Sequence, residues 1–114
     1  MGVLLKGADM KKIIYNKLVR DNIPEIIKKS GKECDIEILS DEDYLKMVDA
    51  KLDEELAEYH KEQNLEELAD LLEVLYAASN ARGYSVEDLE VCRIKKRKER
   101  GGFEKKILLK EVLE

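Results

Sequence analysis

Lys51-Leu-Asp-Glu-Glu-Leu-Ala-Glu58, followed after a short connector by Asn64-Leu-Glu-Glu-Leu-Ala-Asp-Leu-Leu-Glu-Val-Leu75, decides how this chain folds. Glu55 and Glu58 stand three residues apart, as do Glu67 and Asp70, so on helices each pair projects from one face on successive turns. Two such helices packed antiparallel bring four carboxylates to one place. Carboxylates gathered at low dielectric repel one another, and the usual remedies are protonation or a bound cation. An all-oxygen donor set suits a hard ion, and magnesium before calcium or zinc where phosphate oxygens also approach. The other reading of the same residues is a pair of solvated acidic helix faces, with Glu67 serving the start of its helix.

Both halves of this stretch sit inside longer helical patterns. Ser40 reads as an N-cap with Asp43 at the capping-box position, and Leu45, Val48, Leu52, Leu56 and Tyr59 form an apolar stripe, which predicts a helix over about 41–61. Lys51 and Glu55 lie at the edge of that stripe, where packing can fix a side chain that still reaches a cleft. Asn64 caps a second helix that should run to Arg82, before Gly83. Glu66, Glu73 and Asn80 recur every seven residues as one narrow polar strip, and most other positions are Leu, Val, Tyr or Ala. A helix apolar over so much of its circumference must be covered on more than one side. The expectation is a homo-oligomer, dimer or tetramer.

Further out, Arg20-Asp-Asn-Ile-Pro24 introduces a short helix ending near Ser30, with Asp21 or Asn22 as cap, Pro24 in the first turn and Gly31 as the left-handed stop. Asp35-Ile-Glu-Ile-Leu39 alternates polar and apolar residues, as a half-buried strand does. Residues 12–19 read equally as strand or irregular chain. Ser85, with Asp88 three residues on, caps a helix to about Arg100, which Gly101-Gly102 breaks. Phe103 to Leu113 then reads as a strand able to pair with residues 35–39 as a minor β-ribbon. The expected architecture is all-α, mainly a helical bundle in one domain spanning residues 1–114.

Composition narrows the function classes. The 114 residues contain no apolar run of the roughly 18 or more that would cross a membrane. Met1 to Met10 is too short and wrongly flanked for a secretory signal, so a cytoplasmic protein is the default. Cys34 and Cys92 lie far apart and His60 is the single histidine, which argues against structural zinc and against a disulfide framework. Net charge is −5 with 41% charged residues, yet the middle is acidic while Arg93-Ile-Lys-Lys-Arg-Lys-Glu-Arg100 is basic. A nucleic-acid binder needs a cationic contact face, so no nucleic-acid partner is expected. The basic run either complements the dipole at its helix end or holds the phosphates of a metal-chelated nucleotide.

Glu54-Glu-Leu-Ala-Glu58 with Glu67-Leu-Ala-Asp70 resembles the EExxE…ExxD signature of the all-α nucleoside triphosphate pyrophosphohydrolases, the superfamily of MazG, dimeric dUTPases and phosphoribosyl-ATP pyrophosphohydrolase. Tyr15-Asn-Lys-Leu-Val-Arg-Asp-Asn-Ile-Pro-Glu-Ile-Ile27 and Glu99-Arg-Gly-Gly-Phe103 are similar to a small MazG-like subgroup, so the resemblance covers residues 13 to about 113. It implies an oligomeric four-helix-type assembly and Mg2+-dependent cleavage, with Mn2+ as substitute, of a nucleoside triphosphate to a monophosphate and pyrophosphate. By motif position Glu55, Glu58, Glu67 and Asp70 would be metal ligands. Glu54 would act behind them or as general base, and Glu55 shares the catalytic role. Lys17, Arg20, Lys51, Lys95, Arg97 and Arg100 are the candidates for phosphate contact. Only residues 59–66 separate the two halves of the signature, fewer than in typical MazG members, so the hairpin must be tight, and the sequence does not select the base. House-cleaning of non-standard nucleotides is favoured over the phosphoribosyl-ATP step of histidine synthesis. The reading from a different class is a non-catalytic helical module for dimerisation or nucleotide sensing.

Overall fold

The structure, a computed structural model, describes residues 11–114. The expectation about Met1 to Met10 lies outside the described residues. The chain forms two compact units, one ending at Ile38 and the other Leu39–Glu114. In the first, helix α1 (Ile23–Lys29) starts at Asn22 with Pro24 in its first turn and stops before Gly31, whose φ is +86°. Asn22 itself has helical dihedrals, φ −86° and ψ −5°, and its side chain makes no capping hydrogen bond. An N-cap side chain reaches back only from extended backbone, so here the proline fixes the start.

The second unit carries three helices, α2 (Asp41–Glu62), α3 (Leu65–Ala81) and α4 (Val86–Arg100). Each begins where a short polar side chain satisfies an exposed backbone N–H. The Asp43 amide donates to Ser40 Oγ at 3.2 Å, the Glu67 amide to Asn64 Oδ1 at 2.9 Å, and the Asp88 amide to Ser85 Oγ at 3.0 Å. Only at α4 is the box reciprocal, with the Ser85 amide donating to Asp88 Oδ2 at 3.0 Å. Between α2 and α3 stand just Gln63 and Asn64, and Gln63 turns the chain at φ +52°. This is the tight hairpin that the spacing requires. It lays α2 and α3 side by side, and Val48, 2% exposed, is the apolar residue most deeply enclosed between the described elements.

The described residues contain no strand, which corrects the expected β-ribbon. Ile36 and Ile38 are 56% and 89% exposed, and Ile107, Leu108 and Leu109 are 74% exposed or more. Alternation marks a strand only when a second chain segment supplies the ladder, and neither segment has one. Residues 12–19 are likewise irregular. Neither Cys34 nor Cys92 is in a disulfide. Among the described residues no helix is long and apolar enough to cross a membrane.

Candidate metal centre

The α2–α3 hairpin sets the geometry of the acidic residues. Glu55, on the α3-facing edge of α2, is 9% exposed and is the buried charged residue of the described chain. Opposite it, Glu67 and Asp70 leave successive turns of α3, both half-buried. Carboxylate oxygens of these three residues all lie within 4.8 Å of one another. Glu58 is exposed and stands outside the trio, yet near enough to act on Glu67. Loss of solvent around it, then the charges of Asp70, Glu58, Glu55 and Glu62, push the Glu67 carboxyl above its ordinary range. Glu62 is the contributor that motif reading overlooks. Its signal was its place four residues after Glu58 on the same helix face.

Lys51 provides the local counter-charge. Its Nζ donates to Glu54 Oε2 at 3.1 Å and stands 3.4 Å from Glu55 Oε1, with the lysine side chain 16% exposed. One ammonium thus orients two carboxylates from the preceding turn. Lys51, expected to touch phosphate, is paired with Glu54 and Glu55.

The remaining basic candidates stand on other elements. Lys95, Arg97 and Arg100 are exposed on the last turns of α4. Arg97 Nη2 donates to Glu104 Oε1 at 2.6 Å, and that guanidinium holds the Glu104 carboxyl below its ordinary range. A cavity of about 420 Å³ is lined by Arg93, Lys96, Arg97, Arg100, Gly101, Gly102 and Phe103. Arg93 in turn is forked onto Glu90 at 2.7 and 3.0 Å. Lys17 and Arg20 belong to the first unit, where Lys17 Nζ stands 5.6 Å from the Tyr15 ring centre.

The trio fits a hard dication on the chemistry of its donors. All are carboxylate oxygens and lie within 4.8 Å of one another, while ligands of an octahedral Mg2+ stand about 2.9 Å (adjacent) to 4.2 Å (opposite) apart, so the three side chains would close on an ion by drawing together. Three carboxylates gathered this closely repel one another, a repulsion that a dication relieves.

No family model matches this chain. Over 42 residues, 37% of the chain, it is 57% identical to an uncharacterized protein of Mycolicibacterium smegmatis. The match spans 43% of that protein, less than half its length. No solved structure matches.

Proposed function

We propose that this chain is a magnesium-dependent nucleoside triphosphate pyrophosphohydrolase that works as a homo-oligomer. The observation that carries the reading is the meeting of Glu55, Glu67 and Asp70 from two helices, within 4.8 Å. Glu55, Glu67 and Asp70 would hold the ion directly, with Glu58 at their exposed rim. When bound, Mg2+ (or Mn2+) neutralises phosphate charge and lowers the pKa of coordinated water. The protein's own part is positioning. Glu54, tied to Lys51, sits one residue from Glu55 and is the group suited to take the proton of the water that attacks the α-phosphorus. The bond to the bridging oxygen breaks, and nucleoside monophosphate and pyrophosphate leave. Pyrophosphate departs as the more charged fragment, so cations on its oxygens speed the step, a role for Lys95, Arg97 and Arg100. The substrate is a nucleoside triphosphate, with removal of non-standard nucleotides favoured and phosphoribosyl-ATP as the second candidate.

Incubation of the purified protein with a panel of nucleoside triphosphates and phosphoribosyl-ATP tests this. Pyrophosphate is expected only with Mg2+ or Mn2+, and Glu55→Gln should abolish it while leaving the helical circular dichroism intact. Absence of turnover across the panel would leave the second reading, a non-catalytic helical module. That reading is favoured by a specific feature, the half-exposed leucines 68, 72 and 75 along α3. Titration calorimetry with and without Mg2+ separates it from a nucleotide sensor that binds without cleaving.

A further inference from the structure

The second half of α4 is sorted around its circumference. Val86, Leu89 and Glu90 are the half-buried residues by which the helix begins its packing. Arg93, Lys96, Arg97 and Arg100 continue that same face at spacings of three and four, whereas Lys98 falls on the other side with Val91 and Ile94. Cations in a last turn complement the helix dipole wherever they stand around the axis. The dipole explains neither their gathering on one side nor Arg93, about two turns before the end.

On that side the chain doubles back. Gly101 takes a φ of +86°, and Gly102 and Phe103 come beside the helix to complete the cavity of about 420 Å³ that the four cations line. Small-molecule sites occupy roughly 300–1,000 Å³, so the space is adequate for one. A Cβ at Gly102 would run into the Arg97 guanidinium and the Glu104 carboxylate, so the glycine lets that pair lie against the turn. Arg97 Nη2 donates to Glu104 Oε1 at 2.6 Å, and Arg93 is forked onto Glu90. Among the described residues no carboxylate pairs with Lys96 or Arg100. A guanidinium takes carboxylate and phosphate oxygens with the same two-pronged geometry, so Glu104 marks where an oxyanion sits on Arg97. That pair is open to water, its side chains 54% and 69% exposed, and such pairs are weak.

We propose that this cavity binds a phosphoanhydride chain, and that Glu104 is an internal plug which the chain displaces from Arg97. A chain is the ligand because the cations form a row, about 10 Å along the helix axis from Arg93 to Arg100, and not a ring around one point. A single phosphate reaches only part of that row, while a triphosphate meets several cations at once and outcompetes one carboxylate. Phe103, 97% exposed at the cavity mouth, offers a bare ring on which a base can stack. Inorganic and nucleoside polyphosphates share the chemistry. Binding requires neither metal nor turnover, and only the fate of the bound chain rests on the pyrophosphohydrolase reading.

Titration calorimetry of the full chain with inorganic triphosphate tests this, in EDTA and at about 0.15 M salt, where distant charges are screened. A saturable site is expected, weakened about fivefold or more by Lys96→Gln but less than about twofold by Lys98→Gln, which removes the same charge from the other side of α4. Glu104→Gln should tighten binding about two- to fivefold. All three positions are exposed, and circular dichroism verifies that the helices persist. A nucleoside triphosphate titrated in parallel separates the two sources. Equal affinity assigns the phosphate chain alone, and tighter binding that Phe103→Ala removes assigns a nucleotide. Absence of saturable binding at millimolar triphosphate overturns the site, and so do equal losses from Lys96→Gln and Lys98→Gln, which would reduce it to general charge. Unchanged or weaker binding by Glu104→Gln overturns the plug. With divalent metal removed and no product measured, failure here leaves the pyrophosphohydrolase reading standing, and failure of that reading leaves this site standing.

Discussion

Lys51→Met isolates the counter-charge from the packing, because methionine keeps most of the apolar stem and removes only the ammonium. In the structure that ammonium lies 3.1 Å from Glu54 and 3.4 Å from Glu55, with the three side chains 16%, 31% and 12% exposed. A hydrogen bond to a charged partner contributes about 1.5–3 kcal/mol when enclosed, and an exposed helix pair only about 0.3–0.5 kcal/mol. The Glu55 contact belongs near the first value and the more open Glu54 contact nearer the second. The expected loss is about 2 kcal/mol, or roughly 8–16 °C in Tm for a domain of this size. Magnesium should restore more of the variant than it adds to the parent, since Glu55 then loses the Lys51 ammonium that stands beside it. A tenfold gain in affinity for the ion adds about 1.4 kcal/mol at saturation. Thermal unfolding by circular dichroism with and without MgCl2, in the absence of nucleotide, reads both effects. A variant melting within about 2 °C of the parent refutes the electrostatic account. One that melts lower but ignores magnesium refutes the metal centre.

Three other outcomes follow from the same structure. The Glu67 carboxyl is raised, so its ionisation opposes the fold. Its stabilising influence is present while it is protonated and is lost as pH climbs from the ordinary carboxylate value of about 4.3 through the higher folded value. Glu67→Gln should flatten that part of the stability curve and raise Tm at pH 7 without metal, leaving the Asn64 cap intact because that bond uses the Glu67 backbone N–H. An unchanged pH profile counts against the crowding of the four acids. Ser85→Ala removes half of the reciprocal cap of α4 and should cost about 1 kcal/mol by urea unfolding. Val48→Ala deletes two methyl groups from the most enclosed apolar site and should cost about 2 kcal/mol, read the same way.

The helix spans were legible in the sequence because their causes are local. Ser40, Asn64 and Ser85 each bond a backbone N–H three residues on, and Gly31, Gly83 and Gly101 take the positive φ that ends a helix. Such contacts close within one turn and owe nothing to distant residues. The meeting of acids from two helices followed almost as directly, since only Gln63 and Asn64 join α2 to α3. Which acids meet was another matter. The rotation of α2 about its axis brings Glu55 inward beside Glu67 and Asp70, leaves Glu58 at the rim, and turns Lys51 onto Glu54 and Glu55. Spacing alone gives the four acids equal standing, because helical periodicity fixes relative directions on one helix but not which direction faces its neighbour. The strands failed for the same physical reason. Alternation at 35–39 is a property of one segment, whereas a strand exists only through hydrogen bonds to a second, and only the folded chain decides whether that second segment arrives.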